Sequence, residues 1–115
     1  MKRILVTGSG GIGGVNFIRA LKLFKDKFFI VGTDFNKYYL QFADLDQRVI
    51  SPKHSDPSFI PLLNELTKQH KIDFLHPQPS SESLVVSQNL DKISTKTLLP
   101  SPNIISKDKL KQKRN

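Results

Sequence analysis

The chain has 115 residues and a formal net charge of +8, a length that holds one domain with a modest core and not a two-domain enzyme. It contains no cysteine, which excludes a disulfide frame, a thiolate metal site and a cysteine nucleophile; no apolar run is long enough to span a bilayer. Residues 107–114 hold five basic residues and one acid, Asp108, a net of +4 and half of the total. The other cations include Lys22, Lys25, Lys27, Lys68 and Lys71, which fall where helices are expected to end and where the helix dipole favours them. None is interleaved with aromatic residues as in a nucleic-acid module. A cytoplasmic protein with neither a nucleic-acid nor a membrane partner is the expectation.

Lys2-Arg3 and the apolar residues 4–6 are too short for a signal peptide and read as a strand over residues 3–7. Five glycines follow within seven positions: Gly8, Gly10, Gly11, Gly13 and Gly14. A helix is expected over residues 13–24, with Val15, Ile18, Leu21 and Phe24 on one face. Strand, glycine-rich turn and helix open a nucleotide-type α/β fold, in which the free N–H groups and positive dipole end of the helix attract an anion. Two spacings fit this turn: Gly8-x-Gly10-x-x-Gly13, the dinucleotide fingerprint, and Thr7-Gly8-x-x-Gly11-x-x-Gly14, the spacing of short-chain dehydrogenases and sugar epimerases. The overlap leaves open which is in use, and also whether the turn serves helix packing alone. Val15-Asn16 stands where a P-loop would need its lysine, so that motif is excluded.

Residues 28–33 form a continuous apolar run, as in a strand buried on both faces of a parallel sheet. Asp34 ends it, about 20 residues beyond the glycine turn, where a ribose-binding carboxylate sits in NAD proteins. It could equally cap the short helix expected over residues 37–42. A third strand covers 48–50, and residues 51–55 form a loop. Asp56 and Pro57 suit the N-cap and first position of a helix whose stripe is Phe59, Leu62, Leu63 and Leu66. A fourth strand over 72–76 is stopped by Pro77-Gln78-Pro79. A helix from Ser80 to about Ile93, a fifth strand over 97–99 and a last helix from Ser106 complete the pattern. This alternation predicts a Rossmann-like three-layer αβα fold with a five-stranded parallel sheet in the order 3-2-1-4-5. That order puts the loops after strands one and four side by side at the switch point where ligands bind, with Glu82 facing the glycine turn.

Several segments together resemble one family. They are Lys2-Arg-Ile-Leu-Val-Thr-Gly-Ser-Gly-Gly, Gly14-Val-Asn-Phe-Ile-Arg-Ala-Leu21, Val31-Gly-Thr-Asp34, Tyr38-Tyr-Leu, Ala43-Asp44, Pro52 with Asp56, and Lys71-Ile-Asp-Phe-Leu-His-Pro-Gln-Pro79 followed by Glu82. They are similar to the N-terminal pre-ATP-grasp domain of carbamoyl-phosphate-synthase-like ATP-grasp ligases, over nearly the whole chain. The resemblance implies a ligase that uses Mg-ATP to make an acyl phosphate from a carboxylate and captures it with an amine. On that reading residues 1–105 are the substrate-side domain and residues 106–115 begin the passage into an ATP-grasp domain, in cis or on a separate chain. The domain alone would hold no cofactor or metal and would not catalyse; ATP and magnesium would belong to the full-length ligase. The contacts implied for a small carboxylate or amine substrate are Gly8, Ser9, Gly10, Gly11, Gly13, Asp34, Pro79, Ser80 and Glu82. Ser80 is a departure, since the family often has an acid there.

The competing reading is an NAD(P)-binding Rossmann module of an epimerase- or dehydrogenase-like protein. The Tyr-x-x-x-Lys pair of short-chain enzymes is absent, because Tyr38 leads to Phe42 and Tyr39 to Ala43. A third reading is a non-catalytic domain that supports a separate ligase subunit. His54, His70 and His76 lack the spacing of metal sites and read as structural, with only His76 near the ligand edge. Ser80, Ser81 and Ser83 read as capping residues, with no base placed beside them.

Overall fold

The computed structural model describes residues 1–24 and 27–98. Its elements are β1 (Lys2–Thr7), α1 (Ile12–Lys22), β2 (Phe28–Asp34), a 3₁₀ turn (Tyr39–Phe42), β3 (Gln47–Ile50), α2 (Phe59–His70), β4 (Phe74–Pro77), α3 (Ser80–Gln88), a second 3₁₀ turn (Leu90–Lys92) and β5 (Lys96–Thr97). The five strands form one sheet in the order β3-β2-β1-β4-β5, and every pairing is parallel. This is the sheet expected from the sequence. The expected last helix, and the proposed domain boundary at residue 105, lie outside the described residues.

Strand alternation divides the core into two layers. Ile4, Val6 and Ile30 pack with Ile18 and Leu21 of α1, and with Leu40, Ala43 and Leu45 from the segment after β2. Leu5, Val31 and Leu75 point the other way, against Phe59, Leu63 and Leu66 of α2 and Val86 of α3. Polar side chains tie the layers at their ends. Asp73 accepts the Arg3 N–H at 2.8 Å, and Asn64 of α2 donates to the Lys92 carbonyl at 2.6 Å while accepting the Ser94 N–H at 3.0 Å.

Some element ends differ from the sequence reading. Phe24 is not on the buried stripe of α1: the helix ends at Lys22, and the N–H groups of Leu23 and Phe24 bond three residues back, to Ala20 and Leu21. This tighter winding swings Phe24 out of register, leaving it exposed with its ring edge-on to Phe28. Asp56 does not cap α2, which starts at Phe59. Its carboxylate instead accepts the N–H and hydroxyl of Ser58, at 2.8 and 2.6 Å, and braces the turn ahead of the helix. The helix expected to reach Ile93 stops at Gln88, where the Asn89 amide takes the Val85 carbonyl at 2.8 Å.

Leu63 is completely buried between α2 and the sheet. Leu63→Ala should lower the unfolding free energy by about 2–5 kcal/mol. Urea denaturation measures this, and a loss below about 1 kcal/mol would show that the α2 layer does not hold the domain together.

Candidate functional site

The turn between β1 and α1 contains glycines with different jobs. Gly8 has φ +59°, in the left-handed region that glycine enters without penalty, and a Cβ there would run into the ring of Pro79. Gly14, inside α1, lies so close to the Gly8 carbonyl that a Cβ would strike it and would stand 2.7 Å from the Ser9 Cα. Gly10 lies under the Tyr39 backbone. Gly11 is the open position: the nearest heavy atom to a Cβ there is the Gly8 carbonyl oxygen at 3.7 Å. Turn, open approach and close packing therefore fall on Gly8, Gly11 and Gly14. These are the three roles of a dinucleotide-binding glycine triplet, and they select Thr7-Gly8-x-x-Gly11-x-x-Gly14 over the overlapping Gly8-x-Gly10-x-x-Gly13.

The start of α1 is open to an anion. The Val15 N–H bonds to the Gly11 carbonyl at 2.9 Å, so the N–H groups of Ile12, Gly13 and Gly14 precede it. No side chain caps the helix and no acid lies in its first turn.

Asp34 stabilises the turn from the end of β2. It is 5% exposed. One carboxylate oxygen accepts the Gly10 N–H at 3.1 Å and the other the Asn36 N–H at 2.9 Å. The turn ahead of the following 3₁₀ segment is braced by Asn36, whose side-chain oxygen accepts the N–H groups of Tyr38 and Tyr39 at 2.9 and 3.2 Å. Asp34 is thus not the cap, and each of its oxygens keeps a lone pair for a further donor. Ser9 is fully buried, and both its N–H and its hydroxyl donate to the Thr33 carbonyl, at 2.9 and 3.1 Å. It anchors the turn and does not face outward.

The loop after β4 closes the other side. Pro79 is the N-cap residue of α3 and covers Gly8. Ser80, the first residue of α3, is exposed. Glu82 is 6% exposed, with one carboxyl oxygen 3.6 Å from where a Cβ on Gly8 would stand. Its other oxygen, Oε1, has no hydrogen-bond partner, and neither do the hydroxyls of Thr7 and Thr33. Burial pushes the Glu82 carboxyl up to about 7; the nearby Thr7 hydroxyl opposes the rise and the Asp34 charge adds to it. Gln78, which the sequence reading passed over, lays its amide nitrogen 2.7 Å from where a Cβ on Gly13 would stand. A single glutamine between two prolines carries no signal of that placement.

No family model matches the chain, and no curated protein does. Solved structures do. One is the dTDP-glucose 4,6-dehydratase of Bacillus anthracis in complex with NAD, at 17% identity and a TM-score of 0.60, over 80% of this chain and 34% of that one. Another is the UDP-D-quinovosamine 4-dehydrogenase of Vibrio fischeri, at 20% identity and a TM-score of 0.59, over 94% of this chain and 85% of that one. The fold is Rossmann-like α/β. The chain spans about a third of the length of the dehydratase.

These likenesses correct the ligase expectation. These two similar structures are a dehydratase and a dehydrogenase, not ATP-grasp ligases, so the resemblance to a pre-ATP-grasp domain and the Mg-ATP chemistry it implied are set aside. The physical reason lies in what the suggestive residues do. Gly14 lets α1 approach the turn, Asp34 ties β2 to it, and the loop over residues 76–79 packs on Gly8 and Gly13. A sheet of this strand order can use such packing whatever reaction its protein performs.

Two expectations follow. Gly14→Ala should cost about 1–3 kcal/mol of stability by overpacking, while Gly11→Ala, at a position with φ −75°, should change it by less than about 1 kcal/mol. Thermal unfolding compares the two, and equal losses would refute the division of roles. The Glu82 carboxyl also gives stability a definite pH dependence. Below the ordinary glutamate value of 4.5 both folded and unfolded chains are protonated. Between there and about 7 only the unfolded chain ionises, so stability falls as pH rises, by about 3 kcal/mol at most. Urea titrations at pH 5 and pH 8 should show that fall in the wild type and a smaller one in Glu82→Gln.

Proposed function

We propose that this domain binds a nicotinamide dinucleotide across its glycine turn, as the NAD(P)-binding part of an oxidoreductase or epimerase-type protein. The observation that carries this reading is the distribution of roles among Gly8, Gly11 and Gly14. Only Gly11 is left with open space at its Cα, and it stands beside three helix-start N–H groups with no acid in the first turn. A diphosphate fits this donor set: its oxygens accept from N–H groups, and its charge is favoured by the helix dipole. Asp34 stands at the end of the adjacent strand, with lone pairs for the hydroxyls of a ribose. The complex of the similar dehydratase with NAD is in keeping with this.

When bound, a nicotinamide ring accepts or donates a hydride. The residues of this chain bind and orient: the turn holds the diphosphate, Asp34 the adenosine side, and the loop after β4 borders the other half. On this reading, substrate chemistry belongs to groups other than the nine positions named from the sequence.

Binding is tested by melting with NAD. A ligand at one hundred times its dissociation constant adds about 2.7 kcal/mol to the folded state, so the melting temperature should rise with NAD concentration. Gly11→Ala should weaken NAD by about tenfold or more, equivalent to about 1.4 kcal/mol, at nearly unchanged stability. No rise with either NAD or NADP would overturn the reading.

A further inference from the structure

Gly8, Gly11 and Gly14 divide the turn's roles among them, and Gly10 runs under the Tyr39 backbone. Gly13 is left over. It lies in the first turn of α1, exposed to solvent, where alanine would favour the helix by about 1 kcal/mol. The three heavy atoms nearest to the place of a Cβ on Gly13 all belong to Gln78: Nε2, Cδ and Cγ, at 2.7, 3.4 and 3.5 Å. The missing Cβ thus makes room for this one side chain.

The Gln78 amide has a set direction. Its oxygen lies 2.6 Å from Nε2 of His76, so in the neutral imidazole Nε2 carries the proton and donates it to that oxygen. The imidazole is stacked on Phe17 of α1 with ring centroids 3.8 Å apart, and its Nδ1 faces the Leu98 carbonyl at the longer distance of 3.3 Å. With the oxygen taken, the NH₂ is the end that lies over the start of α1. It adds two donors to the N–H groups of Ile12, Gly13 and Gly14, which no side chain caps. Among the described residues this NH₂ has no acceptor. Left to itself, an amide would turn its oxygen toward the positive end of a helix; His76 holds the opposite arrangement. Donors therefore converge on donors, and an anion satisfies both sets. Independently of Gln78, Glu82 shows that the turn lacks a partner: it is 6% exposed and set against Gly8, with Oε1 unpaired.

Strand order says which part of a ligand arrives there. β2 and β4 flank β1 on opposite sides. Asp34 ends β2 and Gln78 follows β4. A dinucleotide with its adenosine on the Asp34 side brings its second phosphate, the one that carries the nicotinamide half, toward Gln78. We propose that the Gln78 NH₂ donates to that second phosphate, so that this side chain makes the site prefer a diphosphate to a monophosphate. The proposal rests on the reading of the turn as a dinucleotide site. His76 is a positioning residue in it, since it touches the amide and not the ligand, and Gly13 keeps the place of the amide free.

NAD, ADP and AMP are titrated into the wild type and three variants, with the amide resonances of Gly11 and Ile12 as a readout that reaches millimolar dissociation constants. Gln78→Met keeps the side-chain length and removes the N–H groups. It should weaken NAD and ADP about tenfold, the scale of one hydrogen bond to a charged acceptor, and AMP less than about twofold. In Gly13→Ala the methyl group pushes the flexible end of Gln78 aside. It should show the same selective loss at unchanged or raised thermal stability, which keeps the test open should Gln78→Met disturb the loop. His76→Phe, which keeps a ring on Phe17 but has no Nε2, should show a smaller loss that also spares AMP. A damaged turn would weaken AMP as well. NAD and ADP held by Gln78→Met as tightly as by the wild type, or AMP weakened as much as ADP, overturns the proposal and leaves the dinucleotide reading intact. If the wild type binds neither NAD nor NADP, the dinucleotide reading fails and inorganic pyrophosphate becomes the probe. Pyrophosphate shifts of the Ile12 and Gly13 amides that shrink in Gln78→Met sustain the contact. Shifts that are equal in the two chains, or absent, overturn it.

Discussion

The carboxyl edge of the sheet depends on one close approach, that of Gly14 in α1 to the Gly8 carbonyl and the Ser9 backbone. With no Cβ between them, the helix begins almost on top of the strand that precedes it. That position sets the direction of the helix and hence where its unbonded N–H groups point. It also leaves no room between turn and sheet, so the neighbours must fit around it. The Asp34 carboxylate takes the Gly10 N–H, Ser9 is pinned to Thr33, and Pro79 covers Gly8. The loops after β1, β2 and β4 are held together because each supplies one part of this contact.

The same compactness explains the polar atoms buried beneath it. Thr7 and Thr33 lie at or next to the ends of adjacent parallel strands, and Glu82 of α3 stands beside Thr7. A carboxyl there is deprived of water without gaining a cation, so its neutral form is favoured. Asp34, equally buried, has partners that Glu82 lacks, because two backbone N–H groups donate to it. Two acids a short distance apart thus stand in opposed environments. One is tied to the turn by two backbone N–H groups, and the other is pushed by burial toward its acid form.

His76 and Gln78 extend the site along β4. The strand passes beside β1, so residues just beyond its carboxyl end reach the start of α1 without a long loop. His76 is held there by stacking on Phe17, with ring centroids 3.8 Å apart, and by the Gln78 side-chain oxygen 2.6 Å from its Nε2.

Much of the fold was legible because its signals are local. The apolar run over residues 28–33, the stripe of Phe59, Leu62, Leu63 and Leu66, the Pro77-Gln78-Pro79 stop at the end of β4 and the alternation of elements are each imposed by neighbours in the chain, and together they lead to the 3-2-1-4-5 sheet. The ends of elements were less legible, as Phe24 and Asp56 show, because a final turn or a cap depends on competing hydrogen bonds worth about 1 kcal/mol each. Family and chemistry were misjudged, since glycine, Asp34 and the 76–79 loop serve packing that different proteins of this fold share. By itself, then, the sequence determined the order of strands and helices and placed a glycine-rich turn at the switch point. Only the tertiary structure decided which glycine is open, which acid is braced and which side chain looks onto the turn. Those are contacts between residues far apart in the chain, such as Gly13 with Gln78 and Gly8 with Glu82, and no local pattern encodes the distance between them.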